Sequence, residues 1–217
     1  MKTLMFDLDG TLLDTLEDIG RACNAVLAEH GYPVHPLPAY RRMVGNGFTT
    51  LMRRALPENA FPENSPELAA LVDKARAWYG DHMCEHTRPY EGLPQVLELL
   101  ARNGTPLSVL SNKPEPLVRQ IVAHYYPGIP LAHVCGGRDD TPLKPAPDAV
   151  LKILAAMRIA PEDCCYIGDS LVDWNTARNA GTSFAAVTWG FGTVEELRQA
   201  GVTTFLEHAG EIADLVK

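Results

Sequence analysis

The chain is predicted to be an α/β protein: a Rossmann-like parallel sheet core carrying an inserted α-helical cap domain. Three observations predict this. Short apolar segments without polar alternation recur along the chain, as strands covered on both faces do. Helical patterns lie between them, and such alternation implies parallel βαβ units with right-handed crossovers. From about Thr15 to about Thr87, no strand pattern occurs at all. The expected division is therefore 1–14 with 88–217 for the core and 15–87 for the cap.

Lys2–Asp7 is the first predicted strand. Leu16–His30 follows as a helix, with Ile19, Cys23, Val26 and Leu27 on one face and Gly31 and Pro33 stopping it. Tyr40–Val44 and Phe48–Leu56 flank Gly45-Asn46-Gly47, and Leu68–His82 reads as a further helix. The Pro-rich piece Pro57–Pro66 reads as a surface loop. Linkers are expected at Leu13–Thr15 and Arg88–Gly92, and the order of segments suggests a cap over the tip of the first strand. The remaining strands are Pro106–Leu110, Leu131–Cys135, Cys164–Ile167, Phe184–Val187 and Thr203–Leu206. Between and after them come helices at Gly92–Arg102, Pro116–Tyr125, Pro147–Met157, Val172–Ala180, Val194–Ala200 and Ala209–Val216. Gly104 and Gly181 sit just past helix ends, where a left-handed cap is wanted.

The 217 residues are 46% hydrophobic and 21% charged, enough to bury a core without covalent staples. A net charge of −8 argues against broad nucleic-acid or membrane-surface binding, while leaving a small anionic substrate open. No apolar run approaches the roughly 20 residues that span a bilayer. The chain enters its first strand at once, without a leader pattern, so a cytoplasmic location is expected. The five cysteines are odd in number and scattered, which fits free thiols. His82, Cys84 and His86 invite a zinc reading, since histidines four apart share a helix face. No partner ligands stand out, and a polar helix end is the preferred reading.

The chemistry concentrates at predicted strand ends. Asp7-Leu8-Asp9-Gly10-Thr11 ends the first strand with two carboxylates, although aspartate is a poor strand residue. At the carboxyl end of a parallel strand, where open α/β sheets bind ligands, such a pair suggests metal-assisted chemistry on an anion. The competing reading is a plain Asp-Gly turn closing a hairpin. Ser111-Asn112-Lys113-Pro114 follows the second core strand, where a hydroxyl, an amide and N–H groups suit an anion or an ordinary helix cap. Lys144, its approach fixed by Pro145 and Pro147, can neutralise phosphate oxygens and pair with a carboxylate, or be a surface lysine. Gly168-Asp169-Ser170 follows a buried strand, and Asp173 lies in the first turn of the next helix, where it also complements the dipole. Mg2+ takes carboxylate oxygens and retains waters, a demand that Asp7 and Asp169 on neighbouring tips would meet.

Together, Asp7-x-Asp9-Gly10-Thr11, Ser111-Asn112, Lys144 and Gly168-Asp169-Ser170-x-x-Asp173 resemble the four signature motifs of the haloacid dehalogenase superfamily, in order and near the expected spacings. The resemblance covers essentially the whole chain. In that superfamily the dehalogenases lack the second aspartate, whereas phosphatases and phosphomutases have it, so Asp9 favours phosphoryl chemistry. Tyr40–Gly47 and Leu51–Leu56 further resemble the cap of phosphoglycolate phosphatases, and Leu110–Pro114 resembles their second motif.

The resemblance implies a phosphoric monoester hydrolase acting on 2-phosphoglycolate through an aspartyl-phosphate. Asp7 would be the nucleophile and Asp9 the acid and base. Mg2+ would be held by Asp7, Asp169 and the Asp9 carbonyl, with Asp173 either a further ligand or one step removed. Ser111, the Asn112 backbone and Lys144 would hold the phosphoryl oxygens, helped by Thr11. Asn46 and Arg53 are the candidates for substrate contact in the cap, an arginine suiting the carboxylate of phosphoglycolate. The partner implied is a small phosphorylated metabolite, with no nucleic acid or membrane, and the protein a monomer or homodimer. Alternatives on the same scaffold are a β-phosphoglucomutase-like phosphosugar mutase, a pyrophosphatase and a noncatalytic phosphate-binding protein.

Overall fold

The computed structural model describes residues 2–58, 60–62 and 65–217. Its strands are β1 (Thr3–Phe6), β2 (Leu13–Asp14), β3 (Arg88–Pro89), β4 (Leu107–Pro114), β5 (Leu131–Gly137), β6 (Cys164–Gly168), β7 (Ser183–Val187) and β8 (Phe205–Leu206). Its helices are α1 (Leu16–Glu29), α2 (Gly47–Ala55), α3 (Pro66–His82), α4 (Leu93–Arg102), α5 (Glu115–Tyr125), α6 (Asp148–Met157), α7 (Leu171–Ala180) and α8 (Val194–Gln199). The chain divides into two units, Met1–Asp14 with Pro89–Lys217, and Thr15–Arg88. No helix among the described residues is long and apolar enough to cross a membrane.

The first unit is built on a six-stranded sheet in the order β5-β4-β1-β6-β7-β8, with every pairing parallel. Leu4, Met5 and Phe6 of the central β1 are essentially inaccessible, as expected for a strand covered on both faces. One layer of the core joins Met5, Leu110, Tyr166 and Phe184 of the sheet to Val150, Ile153, Leu154, Ala177 and Leu197 of α6, α7 and α8. From β1 the sheet grows outward to β4 and β5, then returns to β6 on the other side and proceeds to β7 and β8. The strand order therefore reverses between β1 and β6, and in open α/β sheets that reversal opens a crevice at the carboxyl ends. The register Phe6↔Ile167 sets Asp7 and Gly168 level at its rim.

Two local features differ from expectation. β4 runs on through Ser111-Asn112-Lys113 to Pro114, with an irregular register against β5 between Leu110 and Pro114. The final segment, Ala209–Val216, is a 3₁₀ helix, started by Glu211 accepting the N–H groups of Glu207 and His208.

The second unit is helical. Ile19, Cys23, Val26 and Leu27 are the buried stripe of α1, which packs on α3. A 3₁₀ segment, Leu37–Arg42, precedes α2 where the sequence suggested only a short Tyr40–Val44 piece. Ser65 caps α3 by accepting the Leu68 N–H, and Pro66 takes the first helical position. α3 ends at His82, so His86 lies beyond it and shares no helix face with His82, which removes the geometric basis for zinc. Within the expected Pro57–Pro66 loop, Asn59, Glu63 and Asn64 lie outside the described residues.

The two ends of this unit are tied by one carboxylate. Asp18, 1% exposed, accepts from the N–H groups of His86 and Thr87 and from the Thr87 hydroxyl, at 2.8–3.1 Å. Replacing it takes this acceptor from the buried N–H and hydroxyl of Thr87 and from the His86 N–H. Asp18→Ala should lower unfolding free energy by about 2–4 kcal/mol in urea melts; a change below about 0.5 kcal/mol would show that this tie is dispensable.

Candidate active site

The site is assembled from the last residues of β4, the segments that follow β1 and β6, and the segment before α6. Asp7 extends the β1 ladder by donating its N–H to the Ile167 carbonyl at 2.9 Å. The chain then folds tightly on itself, with the Leu8 carbonyl accepting from Thr11, Leu12 and Leu13. Asp-Leu-Asp-Gly is thus a turn, but not one that closes a hairpin, because β1 pairs only in parallel with β4 and β6. Gly10 has φ +84°, and a Cβ there would stand 2.5 Å from Asp169 Oδ2, so backbone and carboxylate are close neighbours.

Carboxylate oxygens of Asp7, Asp169 and Asp173, all buried, lie within 4.8 Å of one another. Lys144 sits among them. Its ammonium is 2.8 Å from Asp7 Oδ1, 2.7 Å from Asp173 Oδ1 and 3.1 Å from the Tyr166 hydroxyl, three acceptors for three N–H donors. Tyr166 in turn donates to the Leu110 carbonyl at 3.1 Å. Burial pulls the lysine down, but Asp173 and Asp7 outweigh it and hold it well above the ordinary value. Burial, then the charge of Asp173, drives Asp7 well above the usual carboxylate range, with Lys144 opposing. Burial and Asp173 likewise push Asp169 up to about 6.

Each acidic group is held by its own local structure. Asp169 accepts the Thr11 hydroxyl on Oδ1 at 3.0 Å, and the N–H groups of Phe191 and Gly192 on Oδ2 at 2.7 and 3.2 Å. A carboxylate offers about four acceptor positions, so Oδ1 keeps capacity for one more partner. Asp173 forms a capping box with Ser170 at the start of α7, its Oδ2 accepting the Ser170 hydroxyl at 2.6 Å. Oxygen-only donors, crowded like charges and an Asp169 oxygen with remaining capacity suit a hard divalent cation.

The structure gathers Asp7, Asp9, Thr11, Ser111, Asn112, Lys144, Asp169 and Asp173 within the first unit; Asn46 and Arg53 belong to the second. Asn46 immediately precedes α2, and Arg53 is an exposed residue of its last turn. Two of the gathered residues have side chains engaged within the protein. The Thr11 hydroxyl is directed at Asp169. The Asn112 side chain clamps the Lys144 backbone, its amide donating to the carbonyl at 3.0 Å and its oxygen accepting the N–H at 2.8 Å. Ser111 Oγ accepts the Lys113 N–H at 3.2 Å, so towards a ligand its hydroxyl acts as a donor.

Sequence reasoning missed three contributors. Tyr166 falls inside the predicted strand Cys164–Ile167 and was given no role there, although a buried tyrosine hydroxyl must find polar partners. Trp189-Gly190-Phe191-Gly192 supplies the two N–H groups on Asp169, and the Trp189 indole donates to the Thr11 carbonyl at 3.1 Å. A Cβ on Gly190 would collide with the Asp169 Cβ, so the glycines were the only available signal. Lys113, the third, places its ammonium 2.5 Å from Asp9 Oδ1 with its side chain 1% exposed.

The chain matches the family model for haloacid dehalogenase-like hydrolases over residues 4–187. It is 32% identical over 215 residues to phosphoglycolate phosphatase 1 of Pseudomonas aeruginosa, covering 97% of this chain and 78% of that protein. It is 29% identical to a phosphoglycolate phosphatase of Thiobacillus denitrificans, covering 100% and 96%. A solved structure from Lactobacillus delbrueckii subsp. bulgaricus, provisionally named a phosphoglycolate phosphatase, superposes with a TM-score of 0.91 at 27% identity, covering 99% and 98% of the two chains.

The raised carboxyls have a consequence for stability. Below about pH 4, folded and unfolded chains both hold these protons, and the carboxyls contribute nothing. Between about pH 4 and the folded Asp169 value of about 6, the folded state holds more protons, so this contribution to stability falls as pH rises. In the presence of a chelator, Asp169→Asn should therefore gain stability over wild type progressively from about pH 4 to about pH 7. Paired urea melts measure it, and a difference that stays constant or reverses across that range would contradict the crowding of charge.

Proposed function

This chain belongs to the haloacid dehalogenase-like hydrolases, and on that premise we propose that it is a phosphomonoesterase whose substrate is 2-phosphoglycolate. One observation carries the reading: Asp7, Asp169 and Asp173 converge within 4.8 Å, with Lys144 among them, and Asp9 follows two residues after Asp7. The names of the relatives support the substrate, since two that span nearly all of this chain are phosphoglycolate phosphatases.

Asp7 is the proposed nucleophile. Its carboxylate attacks phosphorus opposite the ester oxygen, the ester P–O bond breaks, and an aspartyl-phosphate forms. Asp9, protonated, gives its proton to the departing alkoxide, leaving glycolate. As carboxylate it then takes a proton from water, which attacks the same phosphorus. The bond from phosphorus to Asp7 breaks, and inorganic phosphate leaves. Lys144 offsets charge on the phosphoryl oxygens from a position that Asn112, Tyr166 and Asp173 hold fixed, and the Ser111 hydroxyl donates to one of those oxygens. Asp173, already accepting from Lys144 and Ser170, acts by holding the lysine.

Asp7, Asp169 and the Asp9 backbone carbonyl would hold a divalent cation, proposed to be Mg2+. When bound, it supplies the positive charge that allows an anionic nucleophile to meet an anionic phosphoryl group. Thr11, Phe191 and Gly192 keep Asp169 oriented for that role. In the second unit, Asn46 and Arg53 remain the proposed contacts for the substrate beyond its phosphoryl group.

Phosphate release over a panel of small phosphomonoesters and phosphosugars, with Mg2+ and with chelator, tests the reading. 2-Phosphoglycolate should lead the panel, and chelator should abolish release. A flat profile would remove the assigned substrate, and turnover in chelator would remove the metal. Asp7→Asn should lose at least about 10³-fold in turnover while remaining folded, and Asp9→Asn about 10²–10⁴-fold. Mg2+-dependent release by Asp7→Asn at the wild-type rate would reject the nucleophile.

A further inference from the structure

Lys113 is the strongest charged feature that the mechanism above leaves unused. It lies at the end of β4, where the register against β5 is irregular and Ser111, Asn112 and Lys113 are all buried in succession. Three consecutive side chains of a regular strand alternate between faces. Here Asn112 reaches the Lys144 backbone and Lys113 reaches Asp9, so both serve one site. The two site lysines are thus divided between the two loop aspartates, Lys144 on Asp7 and Lys113 on Asp9.

That division places the charges differently with respect to a substrate. Lys144 is on the side of the nucleophile and the phosphoryl group. Asp9, in the proposed reaction, meets the ester oxygen on the side of the leaving alcohol. The Lys113 ammonium is 2.5 Å from the Asp9 carboxylate, so it stands beside the first atoms of that alcohol. Its side chain is 1% exposed and that of Asp9 11%, and little solvent screens the charge. An anionic group close to the ester oxygen would lie within its reach, whereas one at the end of a long chain would not.

Resting on the phosphomonoesterase reading, we propose that Lys113 is a specificity-determining residue. It selects short phosphomonoesters whose alcohol carries a carboxylate on the carbon next to the ester oxygen. The ammonium attracts that carboxylate while remaining the partner of Asp9, and a neutral alcohol of the same length gains nothing comparable. The residues of this recognition, Lys113 and Asp9, both belong to the sheet unit.

The test compares 2-phosphoglycolate with 2-hydroxyethyl phosphate, a neutral analogue of the same length, in wild type, Lys113→Met and Lys113→Arg. Wild type should prefer the carboxylated ester in kcat/KM. Lys113→Met should shrink that preference by about tenfold or more, chiefly through KM for phosphoglycolate. Lys113→Arg, which keeps the charge, should retain most of it. Should Lys113→Met fail to fold, Lys113→Gln, which still donates a hydrogen bond to Asp9, carries the same comparison. Equal losses on both esters would overturn the proposal and make Lys113 a positioning residue for Asp9. An undiminished preference in the neutral variants would place the recognising cation elsewhere. Failure of wild type to hydrolyse either ester would instead overturn the phosphatase reading on which the proposal rests.

Discussion

Burial of negative charge in excess of the two ammonium groups beside it is the constraint on which this site depends. With all four ionised, Asp7, Asp9, Asp169 and Asp173 would set four negative charges against the two cations Lys113 and Lys144, a formal charge of two minus. Buried like charges within a few ångströms raise one another's proton affinity, as they do for Asp7 and Asp169. Three remedies exist: protonation, separation or a cation. The fold blocks separation, because hydrogen bonds fix Asp169 and Asp173 and the β1 ladder fixes Asp7. Protonation would silence the nucleophile. A divalent cation neutralises the deficit and leaves Asp7 ionised, which links the electrostatics of the resting site to the proposed chemistry.

The sheet makes this crowding possible. Asp7 and Asp169 are 162 positions apart in the chain but neighbours in space, because β1 and β6 pair in parallel at the point where the strand order reverses. Glycines at 10 and 190 let backbone close on Asp169 from two sides, so donors reach its oxygens. Lys144 arrives from a loop, which would ordinarily make it mobile. Asn112 removes that freedom by pairing with both polar groups of its backbone. Positioning is the common theme: Lys144, Asp169 and Asp173 each have their rotamers limited by more than one polar contact.

Much of the fold was legible because its signals are dense. Six apolar runs, with helix patterns between them, identify the parallel sheet, and the stripe of Ile19, Cys23, Val26 and Leu27 identifies α1. The acidic positions were legible because aspartates at strand ends contradict local propensity and so call for an explanation. Less legible were residues whose role depends on a bend or on backbone atoms. Lys113 looked like a residue of a helix-capping loop, and only the irregular end of β4 turns it towards Asp9. Nothing in the sequence shows that the side chains of Thr11 and Asn112 serve Asp169 and the Lys144 backbone. Phe191 acts through its N–H, and side-chain identity carries no trace of that. The two-residue strands β2 and β3 are too short for any periodic pattern to register.

Calorimetric titration of chelator-treated protein with Mg2+, in wild type and Asp169→Asn, tests the central claim most directly. Wild type should bind one ion per chain with release of protons below about pH 6, where the folded Asp169 carboxyl is partly protonated. Asp169→Asn should bind at least tenfold more weakly, by roughly the effect of losing one carboxylate ligand. Equal binding by both proteins, or none by wild type at millimolar Mg2+, would contradict the claim that this buried charge exists to hold a metal.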